Sequence, residues 1–460
     1  MRLIKKLILL FFIGFSFRLF LELLFPYSAI GFDQMGYYVP MLYTKANPLD
    51  YFSVGFIYYL IASGINSILN NPLLTIKLLD SIVSGIFILS LFAFSEYGVQ
   101  NRYSFYISIF AFFSFQSLIL DWSLQRNILA FSIFLFTFVF RDADRKNILC
   151  IILLLIVSGF TDPAIIPLEF FWFLYLTLRN RKYLPAPLTL IALTFILIIS
   201  ATFTPEITGA RGNELINFTL SFFFSGNLIY DMIVYTSLSI LLFAPFVIFI
   251  PLLRNYDYRK DMDLKIPIVG TFIFSSLAVF SFFSRYLIEL SVISILFIKE
   301  PKRYIKIFSL FLVLILLISS SYIMMDNYYP SPYFYNGLTK STNINEIVST
   351  SFLQSTVPLN DSKIIVKLFS YVRGNDSLVI SMLYMVSFAY EAGIKIDKVI
   401  NTDENYTLFL NKCEYYYSLN YTIYTVWWYR NGWYGIESLP SSFVPVKIIG
   451  NYALFVYEKN

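Results

Sequence analysis

Asp33 is the first residue of the chain whose type and position suggest chemistry. It lies in the run Gly31-Phe32-Asp33-Gln34-Met35-Gly36-Tyr37-Tyr38, directly after the first long hydrophobic segment. The chain contains no histidine, which removes the commonest general base and every zinc site that depends on imidazole. Acid–base chemistry therefore falls to carboxylates, lysine or tyrosine, and Asp33 is the first candidate.

Further charges interrupt later hydrophobic segments at three short turns. The turns are Asp121-Trp122-Ser123-Leu124-Gln125-Arg126, Thr161-Asp162-Pro163 and Ser284-Arg285-Tyr286. Proline cannot continue a helix and disfavours helical geometry in the residue before it, so a helix is expected to end at the second turn. A charge near the hydrocarbon boundary is costly unless it faces a polar cavity or another charge, so these turns are candidates for a functional site.

Each candidate also has an ordinary structural interpretation. Asp33 is compatible with an acid on a surface loop, and Asp162 with a helix N-cap. Asp121 and Arg126 are compatible with an ion pair in a solvated turn, and Arg285 with snorkelling to the membrane interface. The residues alone leave these alternatives open.

The elements that position these residues are predicted to be membrane-spanning helices. The chain is 58% hydrophobic with a mean hydropathy of +0.68, which is typical of a multi-span α-helical membrane protein. The apolar runs predict about eleven transmembrane helices, at residues 3–25, 73–97, 103–120, 124–140, 147–160, 163–178, 186–204, 229–251, 266–283, 286–298 and 307–325. The predicted domains are therefore a transmembrane domain at 1–325 and a polar domain at 326–460.

The distribution of lysine and arginine predicts the topology. Alternate junctions carry about 18 basic residues against 5 at the others, and basic residues are retained on the cytoplasmic side. The N-terminus is therefore predicted to be cytoplasmic and the C-terminal domain extracytoplasmic, in the cell membrane. Five glycosylation triplets agree, because they begin on the predicted outer side, at Asn217, Asn360, Asn375, Asn405 and Asn420. Arg18 and Glu22 lie one helical turn apart, which favours an uncleaved first helix over a signal peptide.

Two outer regions have their own predicted structure. The long first loop, residues 26–72, carries apolar-aromatic runs at 51–60 and 61–69 that suggest helices lying in the membrane interface. The C-terminal domain is predicted to be a small mixed α/β domain, with strands at 377–381, 395–400, 421–427, 444–449 and 452–458 and helices at 361–372 and 382–392. Gly450-Asn451 predicts a tight hairpin between the last two strands.

Several function classes are disfavoured. The sequence has no Walker loop or clear dinucleotide fingerprint, which argues against ATP-driven transport and nicotinamide chemistry. Cys150 lies near the cytoplasmic end of a predicted span and Cys413 lies outside, so no intramolecular disulfide is expected. No nucleic-acid partner is predicted.

The order of the charged motifs along the chain resembles the GT-C glycosyltransferases, which use polyprenyl-phosphate sugars as donors. Gly31-Phe32-Asp33 with Tyr37-Tyr38 resembles the family's essential acid in the first outer loop. Trp122 to Ala130 with Arg141-Asp142 is similar to its third-to-fourth helix region, and Ser158 to Pro163 to the following luminal turn. Ser284-Arg285-Tyr286-Leu287-Ile288 resembles the late Arg-Tyr-Leu motif of the protein-mannosyltransferase-like branch.

Two departures from that branch limit the comparison. The branch often has paired acids in the first loop, whereas Gln34 follows Asp33 here. The late motif is usually followed by prolines, which this sequence lacks. A second acidic role in the first loop is therefore not carried over.

The resemblance implies an inverting transfer of a sugar from a polyprenyl (dolichyl) phosphate to a hydroxyl of a glycan, lipid or protein acceptor. Asp33 is then the general base, and the donor phosphate needs a cation. The candidates for that cation are Arg285, Arg211 and Arg126. Substrate contacts are expected at Tyr37, Tyr38, Asp121 and Asp162. No metal is predicted, although a divalent ion held by Asp33, Asp121, Asp162 or Glu214 stays open.

Two other function classes stay open. A transporter or lipid flippase is expected to carry charges near mid-membrane, often on broken helices in repeated halves. A non-catalytic membrane assembly protein is expected to use the outer domain as its working part. The charges of this chain cluster at one predicted face, and no internal repeat is visible.

Overall fold

A computed structural model describes a large part of the chain. The described residues are 3–31, 33–51, 55–114, 117, 125–140, 144–203, 289, 292, 293, 295, 296, 357, 359–382, 384–402, 406–429 and 439–458. The predicted spans at 229–251, 266–283 and 307–325 lie outside them, as does the predicted domain boundary at 325/326. These parts of the fold stay predictions.

The described residues are mostly helical, with twelve α-helices and one five-stranded sheet. The first nine helices are α1 (Leu3–Leu23), α2 (Val39–Thr44), α3 (Phe56–Leu69), α4 (Pro72–Ala93), α5 (Ser104–Phe112), α6 (Gln125–Phe136), α7 (Arg145–Thr161), α8 (Ile166–Arg179) and α9 (Pro185–Phe203). The C-terminal helices are α10 (Leu359–Phe369), α11 (Met385–Glu391) and α12 (Tyr406–Ser418). Each of the first seven predicted spans therefore contains a helix.

Two described helical stretches are long and apolar enough to cross a membrane. They are 72–98 and 181–200. Length and composition alone give weak support for membrane spans, since a buried core helix passes the same test. The number of spans and the orientation of the chain stay predictions.

The first outer loop has one long helix where two were expected. A single helix, α3, runs from Phe56 to Leu69, so the predicted division at residue 60 is wrong. The helix begins directly after Gly55, whose positive φ of 83° turns the chain, and the Tyr59 amide donates to the Gly55 carbonyl. The apolar residues from Phe56 to Leu69 therefore form one uninterrupted helix.

The chain divides into two compact units that are not continuous in sequence. One comprises Met1–Arg18, Asn47–Ile61 and Ser81–Ser321, and the other Leu19–Ala46, Ala62–Asp80 and Tyr322–Asn460. The second unit combines the start of the first outer loop with the C-terminal α/β domain. Asp33 therefore belongs to the same unit as that domain.

Small residues allow two helices of the first unit to approach closely. A Cβ added to Gly14 of α1 would lie 2.5 Å from the Ser84 carbonyl oxygen of α4, and a Cβ on Gly85 would meet the Phe11 ring. Helices in membranes associate through this kind of close packing, because lipid removes the hydrophobic driving force between them. Gly14 and Gly85 thus set the distance between α1 and α4.

The C-terminal domain is a mixed sheet with helices on it. Its strands are β1 (Ser377–Ser381), β2 (Val399–Asn401), β3 (Thr422–Trp428), β4 (Phe443–Ile449) and β5 (Tyr452–Tyr457), in the order β2-β1-β3-β5-β4. Strand β1 pairs in parallel with β2 and β3, while β5 pairs antiparallel with β3 and β4. The predicted hairpin is confirmed, with Gly450 at a φ of 61° between β4 and β5.

Two predictions for this domain are corrected. The strand expected at 395–400 is confined to Val399–Asn401, because Ile396–Lys398 form a 3₁₀ turn before it. Helix α12 was not predicted, since its sequence is rich in tyrosine and weakly amphipathic. Its buried Phe409 stacks on Trp427 at 5.3 Å, so tertiary packing holds the helix in place.

We expect Gly14→Ala to destabilise the first unit, because the added methyl group meets the Ser84 backbone. Overpacking of this kind typically costs about 1–3 kcal/mol. The measurement is the unfolding temperature of the purified chain in detergent. Gly64→Ala is the matched control, since Gly64 is exposed on α3 with no atom within 4 Å of an added Cβ. Equal behaviour of the two variants would contradict the close helix packing.

Candidate functional site

Asp33 is a half-exposed acid at the start of a π-helix, in the loop at residues 26–72 that is predicted to lie outside. The π-helix covers Gln34–Tyr38, and Gln34, Met35 and Gly36 within it are buried. The Asp33 backbone is helical, with φ −61° and ψ −33°, and its side chain does not cap the π-helix. Single π-helical turns are frequent at functional sites, because they aim side chains differently from an α-helix.

Gly31 fixes the approach to Asp33. Its φ of +126° is a conformation that residues with a side chain rarely adopt, and an added Cβ would collide with the Gln34 side chain. The Met35 amide donates to the Gly31 carbonyl at 3.4 Å, which closes the turn around the acid. The sequence therefore needs glycine at this position for two separate reasons.

The two tyrosines of the loop have different environments. Tyr38 is 2% exposed and belongs to the core of its unit, whereas Tyr37 is half-buried. Both were predicted to contact substrate. Tyr37 is the one that keeps surface on which a sugar ring could pack.

Buried charged groups support the loop from the helices below it. Glu22, near the end of α1, accepts a hydrogen bond from the Ile30 amide through Oε2 at 3.0 Å. Lys77 of α4 donates from Nζ to the Phe25 carbonyl. Both charged side chains are buried, so the backbone from Phe25 to Ile30 supplies part of the polar environment that they require.

Helix α11 of the C-terminal domain packs directly on the loop. The Ser387 hydroxyl donates to the Met35 carbonyl at 2.5 Å, two residues from Asp33. The Tyr43 hydroxyl donates to Glu391 Oε1 at 2.9 Å, and the Tyr43 and Tyr390 rings lie 4.6 Å apart. Three contacts over about one turn of helix thus hold the loop against the domain.

Burial shifts the ionisation of this contact. It raises the pKa of the Glu391 carboxyl, against smaller opposing effects of the Tyr43 hydrogen bond and the Lys77 charge. Burial also raises the pKa of Tyr390 to about 12 and, with the Glu391 charge, raises the pKa of Tyr43. Burial therefore favours the protonated forms of these groups, whereas the Tyr43 hydrogen bond and the Lys77 charge favour the ionised form of Glu391.

Arg126 and Asp162 are brought together in the first unit. Arg126 Nε lies 3.4 Å from Asp162 Oδ2, and the two side chains are 14% and 3% exposed. Asp162 ends α7 in an extended conformation, with φ −149° and ψ 109°, and a 3₁₀ turn at Pro163–Ile165 follows. The predicted helix break is confirmed, and the structure places Arg126 and Asp162 beside each other. The roles expected for the two residues in binding substrate stay predictions.

Polar groups continue one helical turn below this ion pair. The Ser158 hydroxyl of α7 donates to the Ala130 carbonyl of α6 at 2.9 Å. Ser158 lies four residues before Asp162, and Ala130 four residues after Arg126. Glu169, in the first turn of α8, is fully buried.

Buried charges of the described residues before position 325 share one pattern. They are Arg18, Glu22, Lys77, Asp80, Asp162, Glu169 and Glu289. Each lies within about 10 Å of the predicted outer end of its own span, at 1.5 Å of rise per residue. Asp80, Glu169 and Glu289 were not among the predicted site residues, although a lone acid inside an apolar run is itself a signal of function.

The remaining predicted site residues cannot be placed. Asp121, Arg211, Glu214 and Arg285 lie outside the described residues. Asp33, Tyr37 and Tyr38 belong to one compact unit, and Arg126 with Asp162 to the other. Within the described ranges, no three acidic or cysteine side chains are grouped to hold a metal ion.

No protein-family model matches the chain, and no curated protein matches it at a significant level. The GT-C interpretation therefore depends on the residues of its motifs and stays a prediction.

We expect Gly31→Ala to destabilise the loop that carries Asp33. A side chain at this φ costs about 1–3 kcal/mol, and the collision with Gln34 adds to the strain. Gly393→Ala is the matched control, because Gly393 has a φ of +83° but no atom near an added Cβ. Proteolysis of the loop and the unfolding temperature are the measurements. A larger loss for Gly393→Ala would contradict the account of Gly31.

The contact between Tyr43 and Glu391 should make stability depend on pH. Because the folded pKa of Glu391 is raised above its ordinary value of 4.5, the unfolded chain loses this proton first and stability falls as pH rises above 4.5. Glu391→Gln keeps an acceptor for Tyr43 and should flatten the decline in unfolding temperature between about pH 4 and pH 7. Asp397→Asn, at an exposed acid, should leave the decline as in the wild type.

Proposed function

We propose that the protein is a GT-C-like membrane glycosyltransferase with about eleven spans. It transfers a sugar from a polyprenyl-phosphate donor to an acceptor hydroxyl at the extracytoplasmic surface, with inversion. The observation that carries the proposal is Asp33, a half-exposed carboxylate on a π-helical turn whose neighbouring residues are buried and hydrogen-bonded in place.

The proposed reaction is a single displacement. Asp33 accepts the proton of the acceptor hydroxyl as that oxygen forms a bond to the anomeric carbon. The bond from the anomeric carbon to the phosphate oxygen breaks, and the polyprenyl phosphate leaves with the electron pair. An arginine stabilises the negative charge that grows on the phosphate, since its planar fork matches the phosphate oxygens.

Arg211 and Arg285 are the proposed phosphate ligands. Arg126 was a third candidate, but its guanidinium already lies beside the Asp162 carboxylate. To bind a phosphate, Arg126 would have to share its charge with that acid. Its proposed role is therefore to hold the turn after α7, with Asp162.

The depth of the buried charges supports an outer-surface site over a transport pathway. All seven lie near the predicted outer ends of their spans, whereas a transport pathway is expected to carry charged groups near the middle of the bilayer. A surface reaction with lipid-linked substrates needs polar groups at headgroup depth. The pattern depends on the predicted topology, so glycan attachment at Asn375 or Asn420 is a useful independent check.

We expect Asp33→Asn to lower sugar transfer about 10²- to 10⁴-fold, the usual contribution of a general base. Transfer is measured in membranes with polyprenyl-phosphate mannose and polyprenyl-phosphate glucose as labelled donors. Asparagine has nearly the same shape as aspartate but does not accept the proton at neutral pH. The unfolding temperature of the variant should therefore remain that of the wild type.

Asp376→Asn is the matched control, because Asp376 is an exposed acid of the C-terminal domain. It should retain full activity. Unchanged transfer by Asp33→Asn would remove Asp33 from the reaction. Wild-type membranes that move a lipid or sugar across the bilayer, with no transfer or donor hydrolysis, would overturn the enzyme proposal in favour of a transporter.

A further inference from the structure

An aromatic cavity of about 190 Å³ lies among the helices of the first unit. No residue that lines it takes part in the proposed sugar transfer. Five aromatic residues line it, and two exposed polar residues lie at its mouth: Phe94, Phe138, Trp172, Phe173 and Tyr183, with Arg179 and Asn180. The cavity therefore combines an apolar interior with a positive charge at the opening.

The aromatic rings of the cavity wall pack closely against one another. Phe138 lies 5.3 Å from Trp172 and 4.7 Å from Phe94, in both cases edge to face. Gly98 approaches Phe138 so closely that an added Cβ would lie 3.3 Å from the Phe138 Cβ. Protein interiors are normally filled to the density of organic crystals, so a persistent apolar cavity favours an apolar occupant.

The mouth of the cavity is basic. Arg179 is the last residue of α8, is exposed, and lies 5.7 Å from the centre of the Tyr175 ring. Arg181 and Lys182, in the 3₁₀ turn that follows, are exposed as well. No acidic residue lines the cavity within the part of the chain that the structure describes. The positive charge at the mouth of the cavity is therefore suited to binding an anion.

The mouth also lies at a specific depth. It is formed at the junction between the predicted spans 163–178 and 186–204, one of the basic junctions predicted to face the cytoplasm. Basic pockets between helices on this side of a membrane typically bind anionic lipid headgroups. An arginine at the last turn of a helix is at the level where lipid phosphates lie.

We propose that this cavity binds an anionic phospholipid of the inner leaflet. One acyl chain occupies the aromatic interior, and Arg179 binds the phosphate, with Arg181 and Lys182 adding to the attraction. The proposal requires that these helices lie in a membrane and is independent of the sugar-transfer reaction. If the cavity does not bind lipid, the proposed role of Asp33 is unaffected. If Asp33 takes no part in sugar transfer, the lipid-binding proposal is unaffected.

Trp172 provides a direct readout, because it lines the cavity. The full-length chain in detergent is titrated with phosphatidylglycerol or phosphatidylcholine that carries bromine on the acyl chain, which quenches tryptophan on contact. The Trp172 signal is the wild-type fluorescence minus that of Trp172→Phe. We expect saturable quenching with a preference for phosphatidylglycerol of about fivefold or more, the factor that one interfacial arginine contributes.

Arg179→Ala should remove most of this preference. Arg102→Ala is the matched control and should keep it, since Arg102 is also exposed, on the same predicted side, and lies 5.8 Å from the Tyr103 ring. Leu176→Phe, which fills part of the cavity, should weaken quenching by both lipids. Equal quenching by the two lipids, equal effects of Arg179→Ala and Arg102→Ala, or displacement of the lipid by inorganic phosphate would overturn the proposal.

Discussion

Charge buried in an apolar environment is the constraint on which the first outer loop depends. Lys77 and Glu22 lie inside their unit, where an isolated ionised group would cost several kcal/mol. Their partners are the loop carbonyl of Phe25 and the loop amide of Ile30. The path of the loop therefore contributes to satisfying both charges. Those hydrogen bonds help to position the backbone that leads to Gly31 and Asp33.

The same constraint extends to the C-terminal domain through helix α11. Glu391 is partly buried against Tyr43, and its charge interacts with Lys77. The Ser387 hydroxyl satisfies the Met35 carbonyl, which lies inside the π-helix next to Asp33. The domain thus contributes polar partners to the loop as well as apolar surface. This explains why residues far apart in sequence, 19–46 and 322–460, fall in one compact unit.

The sequence predicted the parts of the fold that depend on local patterns. Long apolar runs predicted the helices, Pro163 predicted the helix end at Asp162, and Gly450-Asn451 predicted the hairpin. The missed features depend on tertiary contacts. Helix α12 is held by Phe409 against Trp427, and the pairing of Arg126 with Asp162 joins residues from different helices. In the candidate site, the sequence was enough to predict that Asp33 follows a glycine turn. The contact between Ser387 and Met35 could not be predicted, because no sequence pattern relates residues that are 352 positions apart.

The candidate acids differ in how accessible their side chains are. Asp162 and Glu22 are buried, so a substrate has no direct access to their carboxylates. Asp33 is different, because its side chain keeps surface while its backbone is fixed by Gly31, Met35 and Ser387. A general base needs both properties: access to the acceptor hydroxyl, and a fixed position so that little entropy is lost when the proton is transferred. Of the candidate acids that the structure describes, Asp33 and not Asp162 has both.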